Sequence, residues 1–488
     1  MVDISTQHAI GALVGAAVGD ALGAPFEFTP LAGEYTAAFP EPVLGGVGEL
    51  TGGGMWAPGE FTDDTQMALG LAESLIACGG FDADDLWARW VAWASAASDV
   101  GNQTRKVLSR PHHEGAALEV HESNGGMSAG NGSVMRNTPI ALWTADAPLE
   151  DMVALATAQA TLTHHDEHNG FGAAIHAGML RAGLHGRDVF AAIEEVLAVL
   201  PPQARERWSP LLAPDYEPEP GTSNGDVFTC LAQAVWAVRH ATDFETALAR
   251  AIDLGRDTDT VACVAGSIAG ARWGIQGIPS RWLTYVHGWM TVPAEVAVSG
   301  AHSGKLGPEN RRGDPTVVYD HRSLQRIARA LLGKGDVPDQ ANDTAGGPTQ
   351  VHDEFPLHAA DLLGAATAGN DWAVISLCRT PWTFDRRPVR RQVYLVDRSG
   401  AQHNADPVRV LTDVVDTIDA LLAEDPDRPV LVHCHGGRSR TAFVLEAWAM
   451  RRFGWTAAEA HAWLTERWPR AELLNSTFVE VLERGWPN

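Results

Sequence analysis

Through residues 5–274 the apolar positions recur at helical spacing in Ala-rich segments, many opened by Asp or Ser, and alternating runs are few. One stretch shows the pattern well: Asp82 stands at an N-cap position, and Leu86, Trp90 and Trp93 then fall on one face, a stripe that reads as core packing. Residues 335–354 are rich in Gly, Pro, Asp and Asn and carry no apolar period, so they are expected to link a domain at 1–334 to another at 355–488. Past that point the texture changes. Short apolar runs at 372–377 and 392–396 predict strands between helical stretches, which together make an α/β unit. A helix should start at Asp406 as N-cap and Pro407 as first helical residue, with Leu411, Val414, Val415, Ile418 and Leu421 inward; a last strand is expected at 429–433.

With 488 residues and 45% hydrophobic positions the chain can bury substantial cores, and its length predicts two to four domains. The formal net charge of −25 argues against general binding to nucleic acid or an anionic membrane, because that field repels polyanions. Anionic substrates then depend on local groups. Five scattered cysteines without a CxxC pair suggest neither a disulfide framework nor a zinc site, and a cytoplasmic location is expected. The small apolar run at 9–24 lacks a basic leader and is interrupted by Asp20, so it is not read as a signal sequence; no stretch is expected to span a bilayer.

Near the C-terminus, RPVLVH runs straight into Cys434-His-Gly-Gly-Arg-Ser-Arg440-Thr441, where a helix should begin. Five residues between Cys434 and Arg440 let the loop wrap one phosphate, its N–H groups pointing inward and the Arg440 fork closing over two oxygens. The same positive field should favour a thiolate at Cys434. His435 and Arg438 either add charge around a multiply charged phosphate or face solvent. The segment resembles the HCxxGxxR[ST] signature of the cysteine-based phosphatases, with His433, Cys434, Gly437, Arg440 and Thr441 at its positions, and a length suiting the dual-specificity branch. The resemblance implies an α/β fold with a central, mostly parallel sheet, Gly437 and Arg438 in the phosphate loop, and Thr441 assisting breakdown of a phosphocysteine. A proton donor is also required, and two aspartates compete. Asp406 has a sufficient role as a helix cap, whereas Asp397 ends a predicted strand, where α/β sites gather; Asp397 is favoured.

Toward the N-terminus three acidic segments stand out: Glu27 in GAPFEF, Thr62-Asp63-Asp64, and Asp257-Thr258-Asp259-Thr260. Carboxylates at the head of helical segments are often caps, but clustered ones repel unless a cation holds them, and an all-oxygen set suits Mg²⁺ or Mn²⁺ better than zinc. With the opening IGALVGAAVGDALGAPFEF, the loop SAGNGSVMRNTP and the segment THHDEHN, these motifs follow in order those of the ADP-ribosylglycohydrolase family, which the chain resembles over residues 5–335. The resemblance implies an all-α fold with two Mg²⁺ ions on Thr62, Asp63, Asp64, Asp257, Asp259 and Thr260. It further implies Glu27 as acid or base, and hydrolysis at C1″ of the distal ribose of an ADP-ribosylated protein or other acceptor. Asn131, Gly132, Ser133 and Arg136 are expected in the substrate loop, and His164 at the nucleotide. Arg256, beside Gly255, either faces solvent or holds phosphate. The two sites together predict a bifunctional hydrolase whose other partner is a phosphorylated substrate; the alternative is a phosphatase directed by an ADP-ribose-binding domain that does not turn over.

Overall fold

The computed structural model describes residues 4–28, 32–300, 302–310, 313–335, 345–484 and 486. Residues 336–344 of the expected linker lie outside the described residues. Cα positions cluster into two compact units. The first is Met1–Pro40, Leu50–Ile275 and Tyr285–Asp336; the second is Glu41–Glu49, Gln276–Thr284 and Val337–Asn488. Two short stretches that the sequence pattern groups with residues 1–334 therefore cluster with the second unit. Within it, Arg391 donates to the carbonyls of Gly46 and Leu44, and the Ser280 N–H reaches the Asp413 carboxylate at 3.1 Å.

The first unit is built on two small-residue helices, Thr6–Gly23 and Thr258–Trp273, both buried along nearly their whole length. Glycine sets their approach. A Cβ added at Gly11, Gly15, Gly19 or Gly23 would run into the carbonyls of Gly270, Gly266, Ala262 and Thr258, respectively. Thr6–Phe26, 21 residues long, contains an 18-residue window with a mean hydropathy of 1.5, enough by length and composition to cross a membrane, which corrects the expectation that no stretch is. Asp20 and the glycines do not lower the average enough; 89% of the apolar window is buried inside the protein. Around this pair lie further helices, including Asp63–Cys78 and Ala83–Ala94. Asp82 caps the latter by accepting the Asp85 N–H, and Leu86, Trp90 and Trp93 are buried as the stripe predicts. This helical fold also holds a small antiparallel sheet in the order β1 (His287–Thr291), β3 (Thr316–Asp320), β2 (Lys305–Leu306).

The second unit has a five-stranded sheet, with β4 (Thr349–Gln350), β5 (Leu357–Ala360), β6 (Ala373–Ser376), β7 (Arg390–Gln392) and β8 (Val430–His433) in the order β4-β5-β8-β6-β7. Only the β4 pairing is antiparallel. Asp406 caps the helix Pro407–Glu424 by accepting the Arg409 N–H, and its five expected inward residues are buried. The strand expected at 392–396 is displaced: the ladder ends at Gln392, and the Val396 N–H and carbonyl are taken by the Asn404 side chain. The parallel register places Ala360, His433, Ser376 and Gln392 in one row at the C-terminal strand ends, where the connecting loops converge.

If the seam between the two small-residue helices sets the packing, Gly266→Val should lower stability by roughly 3 kcal/mol, since a branched side chain must displace the Gly15 backbone. Gly80→Ala, a position open to solvent space, should shift it by less than about 0.5 kcal/mol. Urea denaturation midpoints measure both.

Candidate functional sites

Helix geometry assembles the first site. Thr62, Asp63 and Asp64 open the helix Asp63–Cys78; Asp257, Asp259 and Thr260 open Thr258–Trp273; Glu27 ends the short turn that follows Thr6–Gly23. Single oxygens of Asp20, Asp64 and Asp259 lie within 4.8 Å of one another, and so do those of Glu27, Asp257 and Asp259. The Thr62 and Thr260 hydroxyls both donate to Asp64 Oδ2, at 3.4 and 3.5 Å. Asp63 is outside these two triplets, yet its charge acts on Asp64 and Glu27.

Such a group of buried carboxylates cannot stay ionised without compensation. Burial, reinforced by the neighbouring acids, pushes Glu27 and Asp63 each up to about 8 and holds Asp64 and Asp259 well above the carboxylate range. Asp64 Oδ1 is buried without a hydrogen-bond partner. A hard cation would meet both conditions, because it supplies positive charge and takes oxygen ligands. The donor set fits one.

Two acids in this group escaped the sequence reading. Asp20, fully buried, accepts the Thr62 N–H at 2.9 Å, the Thr65 N–H at 3.0 Å and the Thr65 hydroxyl at 2.6 Å, and so fixes the start of the next acidic segment. A lone carboxylate in an apolar Ala-Gly run was its signal. Asp99 is, after burial, the largest influence raising both Glu27 and Asp63; nothing in its own segment marked it.

The loop at 128–137 divides in two. Asn131 donates to Asp257 Oδ2 at 2.8 Å, which orients that carboxylate, and Asn224, another unanticipated residue, accepts the Asp257 N–H at 3.0 Å. A Cβ on Gly132 would stand 2.9 Å from the His164 ring, so His164 packs under the loop; burial holds its pKa well below 6.5. Ser133 is buried and accepts from Asn169 at 2.9 Å. Arg136 departs from the expectation that it meets substrate. It is fully buried, its guanidinium donating to Gln159 and Thr163 and lying 4.2 Å over the Trp90 ring, which makes it a core residue. Arg256 is exposed with left-handed backbone, and its Nε donates to the Gly221 carbonyl.

In the second unit Cys434 follows β8 directly and is 1% exposed, and the helix Ser439–Phe453 starts five residues on. Gly437 has φ +63°, and a Cβ there would stand 2.9 Å from the Asp361 N–H nitrogen; its carbonyl accepts Trp468 Nε1 at 2.7 Å. Asp361, missed in the sequence, pairs with Arg470 at 3.1 Å, and Arg470 reaches the Gly436 carbonyl. Three buried donors at the helix start have no hydrogen-bond partner: Ser439 Oγ, Arg440 Nε and Thr441 Oγ1. Arg440 Nη1 donates to the carbonyls of Leu377 and Leu395 at 2.8 and 3.3 Å, and its Nε is 3.8 Å from Asp397 Oδ2. Asp406 is at its cap instead. Arg438 is mostly exposed and pairs with Glu472 at 3.2 Å. Beneath the loop His433 is fully buried, bonded to Ser376 Oγ at 2.8 Å, and burial lowers its pKa to about 3.

Residues 1–305 match the family model for ADP-ribosylglycohydrolase, and residues 374–483 match that for the dual specificity phosphatase catalytic domain. The ADP-ribosyl-[dinitrogen reductase] glycohydrolase of Rhodospirillum rubrum is 35% identical over 283 residues, covering 57% of this chain and 90% of the relative. An ADP-ribosylarginine hydrolase of Pseudomonas putida is 32% identical over 293 residues, with 57% and 74% covered. A solved structure described as an ADP-ribosylglycohydrolase-related protein complex aligns with a TM-score of 0.50 and 29% identity, covering 67% of this chain and 98% of that one.

His433 yields a pH prediction. Its folded pKa lies below the unfolded value of 6.5, so its contribution is fully present above pH 6.5 and is lost as pH falls toward 3. From pH 7 to 5 the parent should lose about 2 kcal/mol relative to His433→Gln, read from denaturation midpoints at each pH.

Proposed function

The chain belongs to the ADP-ribosylglycohydrolase family and carries a dual-specificity phosphatase domain, and on that premise we propose that it is a hydrolase with two working sites. The first hydrolyses the C1″ bond of ADP-ribose on a modified acceptor. Its support is the orphaned, buried Asp64 Oδ1 within a cluster of carboxylates that only a cation would let ionise together. Thr62, Asp63, Asp64, Asp257, Asp259 and Thr260 would hold two Mg²⁺ ions, or Mn²⁺. When bound, such ions supply Lewis acidity and points of attachment for ribose hydroxyls. Asn131 keeps the Asp257 carboxylate turned to the cluster. Glu27, half-buried and sharing a triplet with Asp257 and Asp259, serves as acid or base, giving a proton to the departing acceptor atom or taking one from the attacking water. One relative is named for ADP-ribosylarginine, which makes that linkage the first acceptor to test.

The second site hydrolyses phosphomonoesters. Support comes from the three unpartnered donors around Arg440, which match the acceptor oxygens of a phosphate, and from Cys434 at the end of the strand that feeds the loop. Cys434 Sγ attacks phosphorus; the S–P bond forms as the P–O bond to the alcohol breaks, and Asp397 gives that departing oxygen its proton. Water then attacks phosphorus and the S–P bond breaks; the Asp397 carboxylate takes the proton of the water, phosphate leaves, the thiolate is restored, and the Thr441 hydroxyl in the first turn of the following helix assists. Gly437 keeps the loop open for backbone donors, and Arg438 lies at the exposed edge.

Release of ADP-ribose from an ADP-ribosylarginine peptide should fall roughly 100-fold in both Asp63→Ala and Asp259→Ala, and on chelation of divalent ions, with recovery on adding Mg²⁺. Unchanged release in both variants would reject the ligand assignment. Cys434→Ser should lower turnover of an aryl phosphate roughly a thousandfold or more while ADP-ribose release stays at the parent rate; retained phosphatase turnover would reject the nucleophile.

A further inference from the structure

The loop that carries Asp397 runs from the end of β7 to Asp406, and two side-chain amides hold it. Asn404, 1% exposed, accepts the Val396 N–H at 3.0 Å and donates to the carbonyls of Val396 and Arg398 at 2.8 and 3.2 Å. It thus binds both neighbours of Asp397 and leaves the carboxylate projecting from a closed turn. Gln276, 4% exposed, completes the arrangement: its Nε2 donates to Asn404 Oδ1 at 3.1 Å and to the Tyr394 carbonyl at 3.4 Å, and its Oε1 accepts the Asp406 N–H at 2.9 Å. One amide therefore ties the start, the middle and the end of the loop.

Gln276 comes from the stretch that matches the glycohydrolase model, some sixty residues before the linker region, and clusters with the second unit. We infer that Gln276, acting through Asn404, is a positioning residue for the Asp397 proton transfer, so that the phosphatase reaction of this chain depends on a residue supplied from its N-terminal part. The inference rests on the reading of Asp397 as the acid. A carboxyl group must lie within hydrogen-bond reach of the leaving oxygen, and a loop with a missing brace spends less time there. The cost should fall on substrates whose leaving oxygen needs a proton, and spare those whose leaving group departs as a stable anion.

The experiment uses the full chain and compares kcat for phenyl phosphate, a poor leaving group, with kcat for para-nitrophenyl phosphate, a good one. Asp397→Ala should lower the first roughly 100-fold and the second far less. Gln276→Ala should show the same selectivity at smaller amplitude, about tenfold on phenyl phosphate and less than about twofold on the nitrophenyl ester, the scale of a lost pair of hydrogen bonds. An equal drop on both esters, or none, in Gln276→Ala overturns the inference while a selective Asp397→Ala keeps the acid in place. A non-selective Asp397→Ala rejects the acid itself, and the inference with it. Should Gln276→Ala fail to fold, Gln276→Glu decides: it keeps the acceptor for Asp406 and loses the donors to Asn404 and Tyr394, so it must reproduce the selective loss, and an unselective one overturns the inference.

Discussion

The first unit depends on how closely two backbones can approach. Along Thr6–Gly23 and Thr258–Trp273, glycine faces carbonyl at four successive levels, and any side chain at those levels would push the helices apart. The catalytic consequence is at the end of the seam. Gly23 meets Thr258, so the chain leaving the first helix passes directly beside the acids that open the second, and the Thr258 hydroxyl closes on the Gly23 carbonyl at 2.8 Å. Glu27 and Asp259 share one triplet because of that contact. Asp20, one turn earlier, reaches across to the acidic segment at residues 62–64 by three hydrogen bonds, from Thr62 and Thr65. A steric rule about small residues thereby becomes an electrostatic arrangement.

Repulsion among those carboxylates is the counterpart of the seam. Each burial that improves the packing raises the cost of charge, and the structure leaves part of that cost uncompensated by protein groups, most plainly at Asp64 Oδ1. The phosphate loop of the second unit has the opposite deficit. There the unpartnered atoms at the helix start are donors, and the brace that shapes the loop is an ion pair, buried Asp361 with partly exposed Arg470, rather than a glycine seam. Unsatisfied buried acceptors suit a cation, and unsatisfied buried donors an anion.

What could be read from the sequence was whatever is encoded locally. Asp82 and Asp406 cap their helices as their positions imply, because a cap involves residues three apart. The loop from Cys434 to Arg440 lies between a strand and a helix for the same reason. The acidic segments were visible as segments, but their brace at Asp20 was not, since its partners are over 40 residues away. Arg136 sat in a motif and so was assigned to the ligand, whereas Gln159, Thr163 and Trp90 claim its guanidinium. The apolar run at 392–396 looked like ladder; only the fold brings Asn404 in to take the Val396 hydrogen bonds. Composition misled on the first helix, because the Ala, Val, Leu and Ile between the seam glycines keep the mean hydropathy high despite Asp20.

These errors share a physical origin that bears on how sites are recognised. A charged or amide side chain has no local period, and its role is fixed by which distant groups would otherwise be unsatisfied. Arg136 finds neutral acceptors and becomes structure; Asp64 finds too few donors and becomes a candidate ligand; Asn404, with its four bonds made, becomes a clamp. The net charge of −25 sharpens the point, since a long-range field of that sign disfavours both anionic substrates. Attraction must then come from within a few ångströms, as the donors around Arg440 can supply. Sites of this kind are found by counting unmet hydrogen bonds at short range, where the overall charge of the chain has little say.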